Sequence, residues 1–165
     1  MFVEVTSREQ INIVEALAGE IWTEHYIPII GRDQVEYMLD RFQSSEAISH
    51  QIESEGYRYF LMEEKGKYIG YMSVQIRGSE LFLSKIYVVG RLRGKGFGKK
   101  AVRFLEDFAA NFHLRKIALT VNKNNKESIA AYEKMGFTNL GPVVQDIGNG
   151  FIMDDFRMEK IVPMS

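Results

Sequence analysis

A loop rich in glycine and cationic residues is the part of the sequence that most directly suggests chemistry. The segment YVVGRLRGKGFGKK, residues 87–100, holds four glycines and five lysine or arginine residues. It follows an apolar run typical of a strand and precedes an amphipathic stretch typical of a helix. Because the first N–H groups of a helix lack internal partners and the helix dipole is positive there, such a junction favours anions. Gly94, Gly96 and Gly98 predict positive φ angles and close approach of a phosphate to the main chain.

Two common phosphate-binding loops do not fit this spacing. A Walker A loop places Ser or Thr directly after its Gly-Lys pair, whereas Gly96 follows Gly94-Lys95 here. A dinucleotide fingerprint requires its third glycine at position 99, which is Lys99. From the loop alone, a flexible turn whose cations stay in water is an equal alternative.

A second polar cluster lies further along the chain, in NNKESIAAYEKMGF. Asn125, Ser128 and Tyr132 are spaced i, i+3 and i+7, which predicts that they share one face of a helix. Taken alone, Tyr132 is most simply a half-buried aromatic with a solvated hydroxyl. Because the glycine-rich loop precedes it in the chain, Tyr132 can also be interpreted as part of a polar helix face, shared with Asn125 and Ser128, that belongs to the same site as the loop.

Composition limits the class of protein that can position these residues. The chain has 165 residues, a formal net charge of −1 and no cysteine. This predicts one domain over residues 1–165 without disulfides, thiolate metal ligands or a cysteine nucleophile. The N-terminus lacks a secretory signal and no apolar run is long enough to cross a membrane, so we expect a cytoplasmic protein without membrane partners.

Hydrophobic periodicity predicts a mixed α/β to α+β fold. The first helix should end near His25, because Pro28 and Gly31 follow it. Later helices are expected over residues 35–42, 48–52, 98–111 and 125–136. Strands are expected over residues 2–5, 57–63, 68–76, 81–89, 116–121, 137–146 and 150–160.

These motifs together resemble the GCN5-related N-acetyltransferase (GNAT) family. The family's acetyl-CoA signature, Gln or Arg, two residues, Gly, one residue, then Gly or Ala, is matched by Arg91 to Gly96. The wider pattern is matched by Tyr87-Val88 before the loop and by Asn125, Ser128, Tyr132 and Gly136-Phe137 after it. The resemblance implies a mostly antiparallel seven-stranded mixed sheet with about four helices in a single domain.

The resemblance also implies a site for acetyl-CoA as cosubstrate. The end of the fourth strand would pair its backbone with the pantetheine arm, and the amides of Arg93 to Lys99 would hold the pyrophosphate. Tyr132 would lie near the sulfur and act as the catalytic residue. The cofactor-binding residues implied are Ile86, Tyr87, Val88, Arg91, Arg93, Gly94, Lys95, Gly96, Phe97, Gly98, Lys99, Asn125 and Ser128.

Acetyl transfer to an amine requires a neutral nucleophile, and therefore a proton acceptor. Many relatives keep a glutamate in the fourth strand, but Ser84-Lys85 stands there in this chain. Glu24, His25, Tyr26 and a water near Ser84 are the candidates, each with a plain structural alternative as a solvated polar residue. We assign Glu24, Tyr26 and Ser84 to the acceptor side. The hydroxyl of Tyr132 is suited to donate a hydrogen bond to the departing thiolate.

The acceptor is expected to be a small-molecule or peptide amine, attacking directly in a ternary complex. The segments HYIP, VEYML and DDFRMEK resemble PaiA-type polyamine acetyltransferases, and carboxylates that would attract a polyamine are Asp33, Glu36, Asp40, Asp146, Asp154 and Asp155. The three histidines show no metal-ligand spacing, so no metal is expected. By family likeness a homodimer is expected.

Two other functions remain open from the sequence. The first is a non-catalytic acyl-CoA-binding sensor or scaffold of the same fold, favoured by the missing strand glutamate. The second is a nucleic-acid-binding module that uses the cations of the loop, which the acidic balance of the chain and the absence of a nucleic-acid motif oppose. We therefore expect no nucleic-acid partner.

Overall fold

The computed structural model describes residues 1–92 and 94–163. Within them lie seven strands, five α-helices and a short 3-10 turn at Gly90–Leu92. The strands are β1 Phe2–Glu4, β2 Tyr57–Glu64, β3 Lys67–Arg77, β4 Glu80–Val88, β5 Lys116–Asn122, β6 Thr138–Gly148 and β7 Phe151–Ile161. The helices are α1 Arg8–Ile30, α2 Arg32–Gln43, α3 Ser45–Ser54, α4 Phe97–Asn111 and α5 Lys126–Lys134.

The strands form one mixed sheet in the order β1-β2-β3-β4-β5-β7-β6. Antiparallel pairing joins β1 to β2, β2 to β3, β5 to β7 and β6 to β7. β4 is parallel to β5, with Glu80–Leu83 opposite Lys116–Leu119. The predicted fold class is confirmed. The family resemblance implied about four helices, one fewer than the described residues form, whereas the periodicity predicted all five, including α3, which Ser44 caps by accepting a hydrogen bond from the Ala47 amide.

Backbone contacts divide the chain into two compact units, and the prediction of a single domain stays a prediction. The first unit comprises Met1–Gln75 and Lys85–Gly98. It contains β1, β2, β3 as far as Gln75, the first three helices, and the end of β4. The second unit comprises Ile76–Ser84 and the chain from Lys99 onward.

Helix α1 begins as predicted but ends later. Ser7 and Gln10 form the predicted capping box, in which each side chain accepts a hydrogen bond from the other's backbone amide. The predicted end near His25 is wrong, because α1 continues through Pro28 to Ile30 and stops at Gly31, whose φ is 90°. Pro28 cannot donate to the Glu24 carbonyl and its ring crowds that carbonyl, yet the helix continues beyond it, and the Gly31 amide donates to the Ile27 carbonyl at 2.9 Å. The longer helix includes Tyr26 as well as Glu24 and His25.

A buried hydrogen-bond chain organises the core of the first unit. The Trp22 indole donates to the Tyr71 hydroxyl at 3.1 Å, and that hydroxyl donates to Gln43 Oε1 at 2.6 Å. Gln43 Nε2 donates to the Tyr59 hydroxyl at 3.0 Å, and Tyr59 donates to Gln51 Oε1 at 2.5 Å. Burial raises the pKa of Tyr59 to about 12 and the pKa of Tyr71 above its ordinary value. Both phenols are therefore neutral donors at neutral pH.

The core of the second unit includes Leu81, Leu105, Ile117, Leu119 and Met158, all almost fully buried. On α4 the buried positions are Ala101, Val102, Leu105 and Ala109. The helical spacing of apolar residues in the sequence continues to Phe112, but this residue does not join the buried face. Phe112 follows the end of α4 at Asn111 and is 44% exposed, where it stacks on Phe108 at 4.7 Å between ring centroids.

A network of four charged side chains covers one face of this unit's strands. Arg157 lies 3.0 Å from Glu80 and 2.8 Å from Glu159, and Lys116 lies 3.2 Å from Glu159. Hydrogen bonds from Arg157 and Lys116 lower the pKa of Glu159, outweighing the opposing desolvation. The charges compensate one another across β4, β5 and β7, so this cluster is structural.

Candidate active site

The glycine-rich loop leads into the N-terminus of α4. Gly94 and Gly96 have φ angles of 76° and 87°, as predicted. Gly98 does not, since it lies inside the first turn of α4, which begins at Phe97. Ideal Cβ positions at all three glycines meet nothing within 4 Å. The main chain at these glycines is therefore bordered by open space.

Exposed cations lie along the same loop and the start of α4. The side chains of Lys95, Lys99, Lys100 and Arg103 are exposed. Arg93 and the side chain of Arg91 lie outside the described residues. The described cations give this segment local positive charge in a chain whose net charge is −1.

The end of β4 approaches β3 closely. A Cβ at Gly70 would overlap the carbonyl oxygen of Tyr87, and the amide of Val89 donates to the Ile69 carbonyl at 2.8 Å. Ile86, Tyr87 and Val88, predicted to pair with pantetheine, are half-buried. Because Gly70 has no Cβ, the backbone at the end of β4 can approach β3 this closely within the first unit.

Glu24 lies against the segment that follows β4. An ideal Cβ on Gly90 would be 2.5 Å from Glu24 Oε1 and 3.1 Å from its Cδ, so the carboxylate packs on the bare glycine backbone. Glu24 is exposed on α1, and among the described residues it has no hydrogen-bond or ion-pair partner. The structure therefore places an accessible carboxylate near the end of β4, although Ser84-Lys85 replaces the familiar strand glutamate.

Aromatic rings cluster where α1 meets the end of β4. The ring centroid of Tyr87 lies 5.4 Å from Trp22, 5.7 Å from Tyr26 and 5.6 Å from Tyr71. His25 packs edge-on against Tyr26 at 4.7 Å. Trp22 is only 2% exposed, whereas Tyr26 and Tyr87 are half-buried. We call Trp22, Tyr26 and Tyr87 the aromatic cluster. Its electron-rich ring faces suit a cationic amine.

The second unit carries the other predicted residues. Asn125 precedes α5 at its N-cap position, is only 3% exposed and makes no side-chain cap bond, so it lies outside the helix that was expected to include it. Ser128 and Tyr132 are half-buried within α5. The ring of Tyr132 contacts Phe137 at 5.5 Å. Ser84 also belongs to this unit and is half-buried in β4.

Several carboxylates predicted to attract the acceptor are already engaged. Asp154 lies 2.8 Å from Lys123, Glu36 lies 3.8 Å from Arg32, and Asp146 accepts a hydrogen bond from the Gly148 amide at 2.8 Å. Asp155 is buried at 4% exposure. These groups are less suited than Glu24 to receive an ammonium group.

Sequence reasoning missed two features of this site. It assigned Tyr87 only through its backbone, whereas its ring joins the aromatic cluster, and it did not consider Gly90 as a contact of Glu24. The only available signal was the glycine directly after the fourth strand, and nothing in the sequence links it to α1.

Residues 1–92 and 94–163 contain no group of three metal-ligating side chains. None of the helices described there is long and apolar enough to span a bilayer.

Curated proteins are similar in sequence to part of the chain. A curated relative, the 5-NmdU N-acetyltransferase of Pseudomonas phage PaMx11, is 35% identical over 81 residues, which cover 48% of this chain and 56% of the relative. Other curated relatives are matched over about half of their length or less.

Solved structures share the fold across nearly the whole chain. The PaiA N-acetyltransferase of Thermoplasma acidophilum, in complex with coenzyme A, has a TM-score of 0.79 at 19% identity, covering 98% of this chain and 99% of that one. A spermidine N-acetyltransferase SpeG chimera from Vibrio cholerae and hSSAT has a TM-score of 0.69 at 20% identity, covering 97% and 95%. The acetyltransferase (GNAT) family model matches residues 19–137, and the chain belongs to that family.

Proposed function

We propose that the protein is an N-acetyltransferase that moves an acetyl group from acetyl-CoA to a primary amine, with a polyamine as the candidate acceptor. The observation that carries the proposal is the loop before α4, where Gly94 and Gly96 hold positive φ angles beside open space. Family membership supports the choice of ligand, and the related PaiA structure contains coenzyme A.

The residues present fit a nucleotide diphosphate. Amides from Gly94 to Lys99 would hold the diphosphate, helped by the dipole of α4 and by the exposed Lys95 and Lys99. The backbone at the end of β4 would hold the pantetheine arm. When bound, acetyl-CoA supplies the thioester that is cleaved.

Glu24 and the aromatic cluster would receive the amine. The Glu24 carboxylate takes one proton from the ammonium group, which frees the nitrogen lone pair to attack the carbonyl carbon. A C–N bond forms, the C–S bond breaks, and the thiolate leaves while the Tyr132 hydroxyl donates a hydrogen bond to it. The attacking nitrogen then gives up a second proton, which the thiolate accepts to become the thiol. The products are the acetamide, coenzyme A and the proton that Glu24 releases to solvent.

A polyamine suits this acceptor side because it carries several cationic groups. One ammonium group would lie by Glu24, while the methylene chain and a second cation would contact the half-buried rings of Tyr26 and Tyr87. The likeness in fold to PaiA and to spermidine N-acetyltransferase SpeG motivates the same choice. Membership of the family does not by itself specify the acceptor, so the choice of a polyamine is part of this proposal.

The test measures release of coenzyme A with a thiol-reactive chromophore, which sees no protein thiol because the chain has no cysteine. Spermidine, spermine, lysine peptides, an aminoglycoside and an aminomethyl nucleoside are compared at fixed acetyl-CoA. We expect spermidine or spermine to give the highest kcat/KM. Turnover only with another amine would overturn the polyamine assignment. Hydrolysis of acetyl-CoA at the background rate with all five amines would overturn the proposal that the protein is an acetyltransferase.

A further inference from the structure

Helix α5, which carries Tyr132, is weakly held by its own contacts. It spans only nine residues, none of them buried, and its N-cap Asn125 makes no side-chain cap bond. A helix this short has little stability of its own in water. Its orientation must therefore depend on contacts from neighbouring elements.

Lys160 on β7 supplies such a contact at the end of α5. Its ammonium group donates to the carbonyl oxygen of Met135, the C-cap residue, at 2.6 Å. The same nitrogen lies 3.2 Å from Glu106 Oε1 on α4. A cation at this position complements the negative end of the helix dipole. One side chain thus links β7, α4 and the C-terminus of α5.

The turn that Lys160 contacts also holds Tyr132. The amides of Met135 and Phe137 donate to the Tyr132 carbonyl at 3.1 and 3.0 Å, and the Phe137 ring packs on the Tyr132 ring. Between them, Gly136 has a φ of 97°, and a Cβ there would lie 3.4 Å from Lys160 Cε. The lysine stem therefore lies over the glycine, and its ammonium group holds the carbonyl just before it.

We propose that Lys160 is a positioning residue for Tyr132, acting through the Met135 carbonyl and the turn to Phe137. The inference rests on the proposed function, because it assigns Tyr132 the hydrogen bond to the leaving thiolate. Losing the ammonium group frees the end of α5 and turns the Tyr132 hydroxyl away from its working orientation. Binding of acetyl-CoA should change little, because it uses the loop before α4, and Asn125 and Ser128 lie at the opposite end of α5 from Met135.

The test compares Lys160→Met, Lys160→Arg and the control Lys134→Met. Lys134 is an exposed cation in the last turn of α5, so the control removes similar charge without the Met135 contact. We expect Lys160→Met to lower kcat about tenfold with acetyl-CoA affinity unchanged. Lys160→Arg, which keeps a cationic donor, should retain most of the parent protein's kcat. Lys134→Met should have the kcat of the parent protein.

A double-mutant cycle separates positioning from general loosening of the fold. In a Tyr132→Phe background, Lys160→Met should change kcat no further. An equal loss of kcat in both backgrounds, or no loss in either, would overturn the inference. If Tyr132→Phe alone lowers kcat while Lys160→Met does not, the inference fails and the proposed function stands.

Hydrogen exchange gives a readout that does not need turnover. Lys160→Met should speed exchange of the α5 amides from Ile129 to Met135 and leave the α4 amides from Ala101 to Ala109 unchanged. Unchanged α5 exchange would overturn the inference whether or not any amine is acetylated.

Discussion

Substituting Gly90 by alanine tests the role of Glu24 without touching its carboxylate chemistry. The new Cβ would lie 2.5 Å from Glu24 Oε1, whereas ordinary contact begins at 3.4 Å, so the carboxylate must retreat by about 0.9 Å. Gly90 does not have a positive φ, so alanine fits the backbone. Because Glu24 is exposed and flexible, the retreat should cost little stability.

The expected kinetic effect is much larger than the effect on folding. A displacement of about 1 Å of a group that acts on the substrate costs up to roughly 100-fold in rate. We expect kcat/KM for the amine to fall about 10- to 100-fold, or about 1.4–2.8 kcal/mol of transition-state stabilisation. The free energy of unfolding should stay unchanged or rise slightly, because alanine restricts the unfolded chain more than glycine does. The affinity for acetyl-CoA should stay unchanged.

The assay is steady-state release of coenzyme A with varied amine, with unfolding in urea measured on the same samples. Gly19→Ala is the matched control, because it makes the same change on α1 where a Cβ meets nothing within 4 Å. It should leave the kinetics unchanged and stabilise α1 slightly. If Gly90→Ala behaves like Gly19→Ala, Glu24 does not act on the amine and its assignment is refuted.

Two further results are expected. Tyr132→Phe should lower kcat about 10- to 1,000-fold with unchanged acetyl-CoA affinity in calorimetry, because one oriented donor is lost, and an unchanged kcat would remove this role. Burial raises the pKa of Tyr59 to about 12, so its neutral form stabilises the fold fully below pH 10 and this contribution is lost as the pH rises through 12. In urea unfolding, the free energy of unfolding should fall by about 3 kcal/mol between pH 10 and pH 12, and by less in Tyr59→Phe. An equal fall in the variant would show that Tyr59 is not the cause.

Local patterns in the sequence were enough to predict most of the fold. Alternating and helical periodicities predicted all seven strands and five helices of the described residues, most of them to within three residues, because most elements bury part of one face. Pro28 misled the prediction for the end of α1, because tertiary packing of a helix can outweigh a local helix-breaking signal. Phe112 continues the apolar spacing of α4 but is exposed, because α4 ends at Asn111.

The candidate site was only partly predictable. The cofactor loop is a continuous segment with its own spacing, so Gly94 and Gly96 were identified from sequence. Contacts between distant segments were not, because no local rule joins Glu24 to Gly90 or Lys160 to Met135. These contacts require the packed structure, and the acceptor chemistry depends on them.

Amide chemical shifts test the central claim, that the loop before α4 holds the diphosphate of coenzyme A. In a ¹H–¹⁵N titration with acetyl-CoA, the signals of Gly94, Gly96 and Gly98 should move downfield and saturate together, as expected for amides that donate to phosphate oxygens. Gly78 and Gly150, which lie in other turns with positive φ, should not move. Saturable binding that shifts other amides and leaves the three loop glycines unmoved would contradict the account.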